Sequence, residues 1–389
     1  KLLPAFLGPI EMIVFCHLLN DNSGSPNVLR MVVDVLARED RECRLFVGSQ
    51  GSGCLEATSV PITRYWYRRS RFRIIPLLTY LYSQLALYRA LSRADLPRDA
   101  LIYVNTLLPF GGALWGHING RRVVYHAHEV SITPAPLRWL LLKFARSTAK
   151  SVIYVSRDQY ERLPVEGVRP VVVPNPTAPQ IVKVGTETPF ELRRSGAFEG
   201  LMLASPRDYK GLPEFLELAR RFVGTKSVHF TLVLNSEPEE AERYLQLRAC
   251  PENVTVHPRT DDPGRYYARA DVLLNLSRVD MWVETFGLTI VEAMAFGVPV
   301  IVPPVGGPAE IVTDDEEGFL VDSRDADRLE AVLSGMIKNP DKLLRMSKAA
   351  RLRALDFTHE IFGETLKNEI LALRAGAETN LRKTPNRVG

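Results

Sequence analysis

Glu284 and Glu292 stand eight residues apart, with Phe286 and Gly287 between them and an apolar run behind. Leu288, Ile290, Val291 and Met294 repeat at the helical period, Gly297, Val298 and Pro299 stop that helix, and Val300 to Val302 reads as a strand. This places Glu284 on the loop ahead of the helix and Glu292 one turn inside it, so the two are not on one helical face. The backbone N–H groups of Phe286, Gly287 and Leu288 then meet the positive end of the helix dipole, a ready place for a phosphate group. Carboxylates flanking a phosphate site suit a ligand that is part diphosphate and part polyol. On spacing alone a plainer reading stays open, since acidic residues are common at helix starts.

Other residues able to do chemistry are scattered through the chain. Lys210 follows a strand and a loop and precedes a helix from Leu212; by itself it is an ordinary solvated lysine. His126 and His128 end a strand, yet no further ligand has the spacing of a metal site. Asp325 and Asp327 precede a helix and read as helix-start acids rather than metal ligands. Gly24 lies in a polar turn, Asn20 to Asn27, between a strand (Ile10 to His17) and a helix (Val28 to Ala37), a second geometry that accepts phosphate. The cluster from Gly48 to Gly53 has no strong helix after it and reads as a flexible loop. Arg64, Arg68, Arg69, Arg71 and Arg73 alternate with aromatics ahead of an amphipathic helix carrying Leu77, Leu81, Leu85, Tyr88 and Leu91. The plain reading of that strip is an exposed loop before a core-packed helix; a membrane surface or an anionic acceptor also suits arginine with interfacial aromatics. Nothing else in the chain supports single-stranded nucleic acid there.

The elements that must position these residues alternate strand and helix, which predicts parallel sheets with helices on both faces. At 389 residues, 46% hydrophobic, the chain is long enough for two domains. We expect a first domain over 1–178, a linker over 179–198 where periodicity lapses, a second domain over 199–357, a returning helix over 358–375 and a basic tail over 376–389. The net charge of +4 does not demand nucleic acid. Cys16, Cys43, Cys54 and Cys250 show no metal-like spacing and read as reduced core residues in a reducing compartment. Residues 2–19 are interrupted by Pro4, Pro9 and Glu11 and read as a core strand rather than a targeting segment. The start at Lys1 rather than Met is expected of a piece of something longer.

The Glu284–Glu292 spacing, the interior Phe286, Gly287 and Leu288, and the later Val305 to Val312 and Gly318 to Val321 together resemble the donor-binding half of glycosyltransferase family 4. The resemblance implies the GT-B fold, two Rossmann-like doubly wound α/β domains facing across a cleft, and a retaining transfer of sugar from a nucleoside-diphosphate sugar. It implies that Glu292 holds ribose hydroxyls, that Glu284 holds hydroxyls of the transferred sugar, and that the amides from Thr285 to Leu288 hold the diphosphate. It further gives Lys210 the diphosphate grip and His128 a contact to the sugar, so His128, Lys210 and Glu284 are the expected catalytic set. Two departures stand out. The family's Gly-Gly pair is Gly24-Ser25 here, and its arginine five residues before the lysine is Ser205, for which Arg207 is a substitute from another angle. The expected partners are a nucleotide sugar, a glycan or lipid-linked acceptor and an anionic membrane surface, with no cofactor, no metal and no nucleic acid. The implied setting is cell-surface polysaccharide synthesis at the cytoplasmic face of the inner membrane. An epimerase or hydrolase on the same fold, and a non-catalytic nucleotide-sugar binder, are the rival functions.

Overall fold

Short apolar runs separated by helical repeats fold as the alternation requires. The structure is a computed structural model and describes residues 10, 12–37, 42–68, 75–194, 196–246 and 248–375. They form two compact units: the described residues up to 154 with 164–173 and 362–375, and the described residues of 155–163 with 174–361.

The first unit is built on β1 (Met12–His17), β2 (Glu42–Gly48), β3 (Ile62–Tyr65), β4 (Leu101–Asn105), β5 (Arg122–Ala127), β6 (Ser151–Tyr154) and β7 (Arg169–Val172). These make one parallel sheet in the order β3-β2-β1-β4-β5-β6-β7. The chain builds outward from β1 in one direction and then returns to start again at β4. The gap between the C-terminal ends of β1 and β4 is therefore the switch point where such sheets take ligands.

The second unit repeats the plan with β8 (Phe198–Ala204), β9 (Val228–Leu234), β10 (Val254–His257), β11 (Val272–Leu274), β12 (Val300–Val302) and β13 (Gly318–Leu320), in the order β10-β9-β8-β11-β12-β13. Side chains alternate across this sheet as a period of two demands. Phe230, Leu232, Val272, Leu274 and Ile301 join a core with the helices Leu212–Arg221 and Ala326–Lys338. Val233, Leu273, Val300 and Val302 join the opposite one with the helix Leu288–Ala295. Its switch point lies between β8 and β11.

Several expectations need correction. Part of the arginine strip is β3, with Tyr65 buried and donating from its hydroxyl to the His17 carbonyl at 2.8 Å. Arg64 pairs with Glu56 and Arg68 is exposed, while Arg69, Arg71 and Arg73 lie outside the described residues. The following helix, Ile75–Arg93, keeps its expected stripe inside only toward its end, where Leu91 is buried and Tyr88 half-buried; Leu77, Leu81 and Leu85 are exposed, whereas Ser83 and Gln84 are buried. The glycine cluster is no loose loop, since a Cβ at Gly53 would stand 2.4 Å from the Asp21 carbonyl and a 3-10 turn, Cys54–Ala57, follows it. Residues read as linker contain the helix Pro179–Glu187. Cys16 and Cys43 are buried as expected, but Cys250 is exposed. The last helix, His359–Ala375, counts with the first unit from Phe362 onward, where the Arg169 guanidinium donates to both oxygens of buried Glu369 at 2.7 Å.

Candidate functional site

In the second unit three loops leave neighbouring strands at the same sheet edge: residues 205–211 after β8, 275–287 after β11 and 303–307 after β12. The first two straddle the switch point and bring the expected charges together. Lys210 Nζ donates to Glu284 Oε2 at 2.6 Å, and Ser277 Oγ donates to the same oxygen at 3.2 Å. Both charged side chains are largely shielded, at 20% and 17% exposure, so this pair is stronger than a surface ion pair. The ammonium also lies 5.4 Å from the centre of the Trp282 ring, which stacks on Tyr209.

Glycines allow the loops to approach this closely. Gly211 has φ of 82°, and a Cβ there would fall 1.9 Å from the Leu276 carbonyl oxygen. Gly306 has φ 81° and ψ −164°, a region open in practice only to glycine, and a Cβ there would fall 2.4 Å from the Glu284 carbonyl oxygen. That same carbonyl accepts from Gly307 N at 2.9 Å, and Thr285 O accepts from Ser156 Oγ at 2.8 Å. The Glu284 loop is thus held by its neighbours on two sides.

Gly287, at φ 104°, turns the chain into the helix Leu288–Ala295, whose first internal bond runs from Ile290 N to Gly287 O at 3.0 Å. The amides ahead of it belong to the unsatisfied first turn. Phe286 is buried against Phe357, while Thr285 and Leu288 are half-buried. Glu292 is half-buried one turn in, and Tyr267 Oη donates to its Oε2 at 2.7 Å. Burial pushes the Glu292 carboxyl up to about 7, with the tyrosine bond opposing that rise.

The proposed substitute for the family's second cation does not join this group. Arg207 is exposed and its guanidinium is bonded to Glu240 at 2.9 Å, while Ser205 is half-buried and its carbonyl accepts from Arg207 N. Asp325 caps the helix Ala326–Lys338 by accepting from Arg328 N.

In the first unit, His128 lies just beyond β5 and is linked through Asn105 to His17, two residues not singled out in the sequence. Asn105 ends β4 and His17 ends β1, so the pair flanks the switch point. Asn105 Nδ2 lies 3.2 Å from the Ser25 carbonyl, which can only accept, and this fixes the amide orientation. Asn105 Oδ1 must then accept from His128 Nε2 at 3.0 Å, while His17 Nδ1 lies 3.1 Å from Nδ2 and 3.5 Å from the Asn105 carbonyl. His128 therefore carries its proton on Nε2 and offers Nδ1 as an acceptor. Burial, reinforced by His126 and His17, holds His128 well below the usual histidine range. Burial alone lowers His126 to about 3; it also dominates at His17, lowered to about 4. His126 is the partner of Tyr103 Oη at 2.8 Å inside the core. Gly24 is exposed and opens the helix Gly24–Ala37. The sequence signal for His17 and Asn105 was only that each is a polar residue closing an apolar strand.

Residues 188–353 match the family described as Glycosyl transferases group 1. A D-inositol 3-phosphate glycosyltransferase of Segniliparus rotundus is 33% identical over 132 residues, which are 34% of this chain and 29% of that protein. The chain therefore spans under a third of that relative's length. The fold extends further: the crystal structure of Anabaena HepE in complex with UDP and glucose matches 94% of this chain and 100% of its own, with a TM-score of 0.72 at 18% identity. Sucrose-phosphate synthase from Thermosynechococcus elongatus matches the same shares with a TM-score of 0.73 at 18% identity. Residues 188–353 are thus similar to the glycosyl transferases group 1 family, and the chain as a whole, with its two Rossmann-like parallel sheets, has the GT-B fold of these structures.

Proposed function

We propose that the protein is a retaining glycosyltransferase that moves a sugar from a nucleoside-diphosphate sugar to a glycan or lipid-linked acceptor. The reading places it in assembly of cell-surface polysaccharide at the cytoplasmic face of a membrane. The observation that carries it is the Lys210–Glu284 pair at the second unit's switch point, one helix start away from Glu292. HepE has been solved with UDP-glucose, which supports a nucleotide-sugar donor here.

In this reading the first-turn amides near Leu288 and the Lys210 ammonium take the diphosphate. An ammonium has three donors and the Glu284 bond uses one, so Lys210 can hold the carboxylate and a phosphate oxygen together. As the sugar–phosphate bond breaks, negative charge grows on the leaving diphosphate, and these fixed donors stabilise it without a divalent metal. Glu284, bound by Lys210 and Ser277, positions sugar hydroxyls rather than attacking carbon. Glu292 accepts from the ribose, and the departing phosphate oxygen takes the acceptor's proton. In the first unit, the neutral His128 accepts from a sugar hydroxyl through Nδ1.

A thermal-shift panel of UDP, GDP, TDP, ADP and CMP with and without EDTA, followed by product analysis with the matching sugar nucleotide, tests this. One diphosphate should raise the wild-type midpoint by several degrees in EDTA and leave Glu292→Ala unmoved. A donor that binds but is never turned over would favour a non-catalytic binder, and altered or free sugar made without an acceptor would favour an epimerase or hydrolase.

A further inference from the structure

The helix Ile75–Arg93 is mounted with its polar residues inward. Tyr80 Oη donates to the Leu108 carbonyl at 2.6 Å, and Gln84 Oε1 accepts from Gly111 N at 3.0 Å. Ser83 Oγ accepts from Gln84 Nε2 at 3.1 Å and donates to the Tyr80 carbonyl. These bonds satisfy the start of the neighbouring helix Phe110–Ile118 and fix which way the long helix turns. Leu87 and Leu91 are buried in its second half, but the leucines of its first half are left outside: Leu78 is 63% exposed, and Leu77, Leu81, Tyr82 and Leu85 are exposed with it. Trp66 extends the stripe, its ring set edge-on to Tyr82 at 4.8 Å. A contiguous exposed apolar stripe on a folded chain marks an interaction site.

Positive charge predominates around the stripe, the nearby carboxylates of Glu56 and Glu129 being engaged by Arg64 and the Leu107 amide. No Asp or Glu occurs from Ala57 to Ala94, within the helix Phe110–Ile118, or from Val130 to Arg157. Arg68, Arg89 and Arg93 are exposed, as are Arg138 and Lys143 on the helix Ala135–Thr148, which packs beside Phe110–Ile118 through the Phe110–Phe144 stack. That helix adds Trp139, 62% exposed. Leucine with tryptophan and tyrosine, bordered mainly by arginine and lysine, matches an anionic bilayer interface. A second copy would set the same basic fringe against itself. The stripe occupies the N-terminal half of its helix, and in a parallel sheet helices begin where strands end. The stripe is thus at the sheet edge that carries His17, Asn105 and His128.

We propose that this face docks on an anionic lipid surface and that the acceptor is lipid-linked; the second part rests on the glycosyltransferase reading above. The experiment is co-sedimentation of the full chain with phosphatidylcholine vesicles, with and without phosphatidylglycerol, at low and high salt. Wild type should bind the anionic vesicles, release in high salt and blue-shift its tryptophan fluorescence. Leu78→Ser with Leu81→Ser should weaken partition at least tenfold, and Arg89→Glu with Arg93→Glu by roughly thirtyfold or more. All of these positions are exposed, so the variants should keep the wild-type midpoint and the wild-type response to nucleoside diphosphate. Binding that ignores both variants, or no binding to anionic vesicles, overturns the proposal. So does a concentration-dependent dimer that the leucine variant dissolves, which would make the occupant a second copy. Vesicle binding with no response to any nucleotide would sink the donor reading while leaving the docking face standing.

Discussion

Removing the charge from Glu292 is expected to change two pH dependences in opposite senses. In the folded chain this carboxyl sits near 7 rather than its ordinary 4.5 because the protein around the half-buried side chain strips its carboxyl of water. The folded state therefore holds the proton more tightly, and stability present below about 4.5 is lost as pH rises through 7. At pH 8 the penalty is about 3 kcal/mol, at pH 5 it is under 1 kcal/mol, and the difference is about 2.5 kcal/mol. Glu292→Gln keeps a carbonyl for the Tyr267 hydroxyl and has nothing to titrate. Melted side by side from pH 5 to pH 8, wild type should lose several degrees relative to the variant. Other groups that titrate in this window cancel in the comparison. A nucleotide sugar, whose diphosphate diester does not titrate there, should reverse the trend. Ribose hydroxyls need the ionised carboxylate, so wild-type affinity should fall about tenfold per pH unit below 7. Isothermal titration at three pH values, set beside the melts, measures both effects. Parallel melting curves for wild type and variant would refute the burial argument, and a pH-independent affinity would remove Glu292 from the ribose.

Other outcomes follow from the same structure. Gly306→Ala forces a side chain into a backbone region used by glycine and against the Glu284 carbonyl; a loss of about 2 kcal/mol and of nucleotide binding is expected, by melting and titration. His17 is held near 4 against an ordinary 6.5, so its contribution is lost as pH falls from 6.5 toward 4. His17→Asn should recover about 2 kcal/mol relative to wild type at pH 5. Asn105→Ala removes the acceptor that fixes the His128 proton on Nε2. Imidazole nitrogen shifts should then show a tautomer mixture, with kcat reduced at least tenfold and nucleotide affinity unchanged.

The parallel sheets and the helix behind Glu284 were legible because their signals are local. Val300 to Val302 is an apolar run closed by prolines, and the helix from Leu288 carries its own stripe and stop. The first half of the helix Ile75–Arg93 was misread for a physical reason. Its apolar stripe is real, but its orientation is set by hydrogen bonds from Tyr80 and Gln84 to Leu108 and Gly111, 28 and 27 residues away in sequence. β3 was hidden because only Tyr65 of its four residues is buried. The union of His17, Asn105 and His128 spans separations of 88 and 23 residues and exists only once the strand order is known. Arg207 was charged and near in sequence, but Glu240 had already claimed it.

The pairing of Arg169 with Glu369 has a consequence for the timing of synthesis. The first unit's helix from Phe362 onward is encoded after the whole of residues 174–361. A ribosome adding roughly 5–20 residues per second needs on the order of 10–40 s to pass from β7 to Glu369. For that interval the first unit is a nascent sheet whose final helix does not yet exist, and Arg169 has no carboxylate to meet. The second unit can be complete before the first is closed. Stopping translation after residue 361 but before Glu369 would leave a finished second unit attached to a first unit that lacks its closing helix.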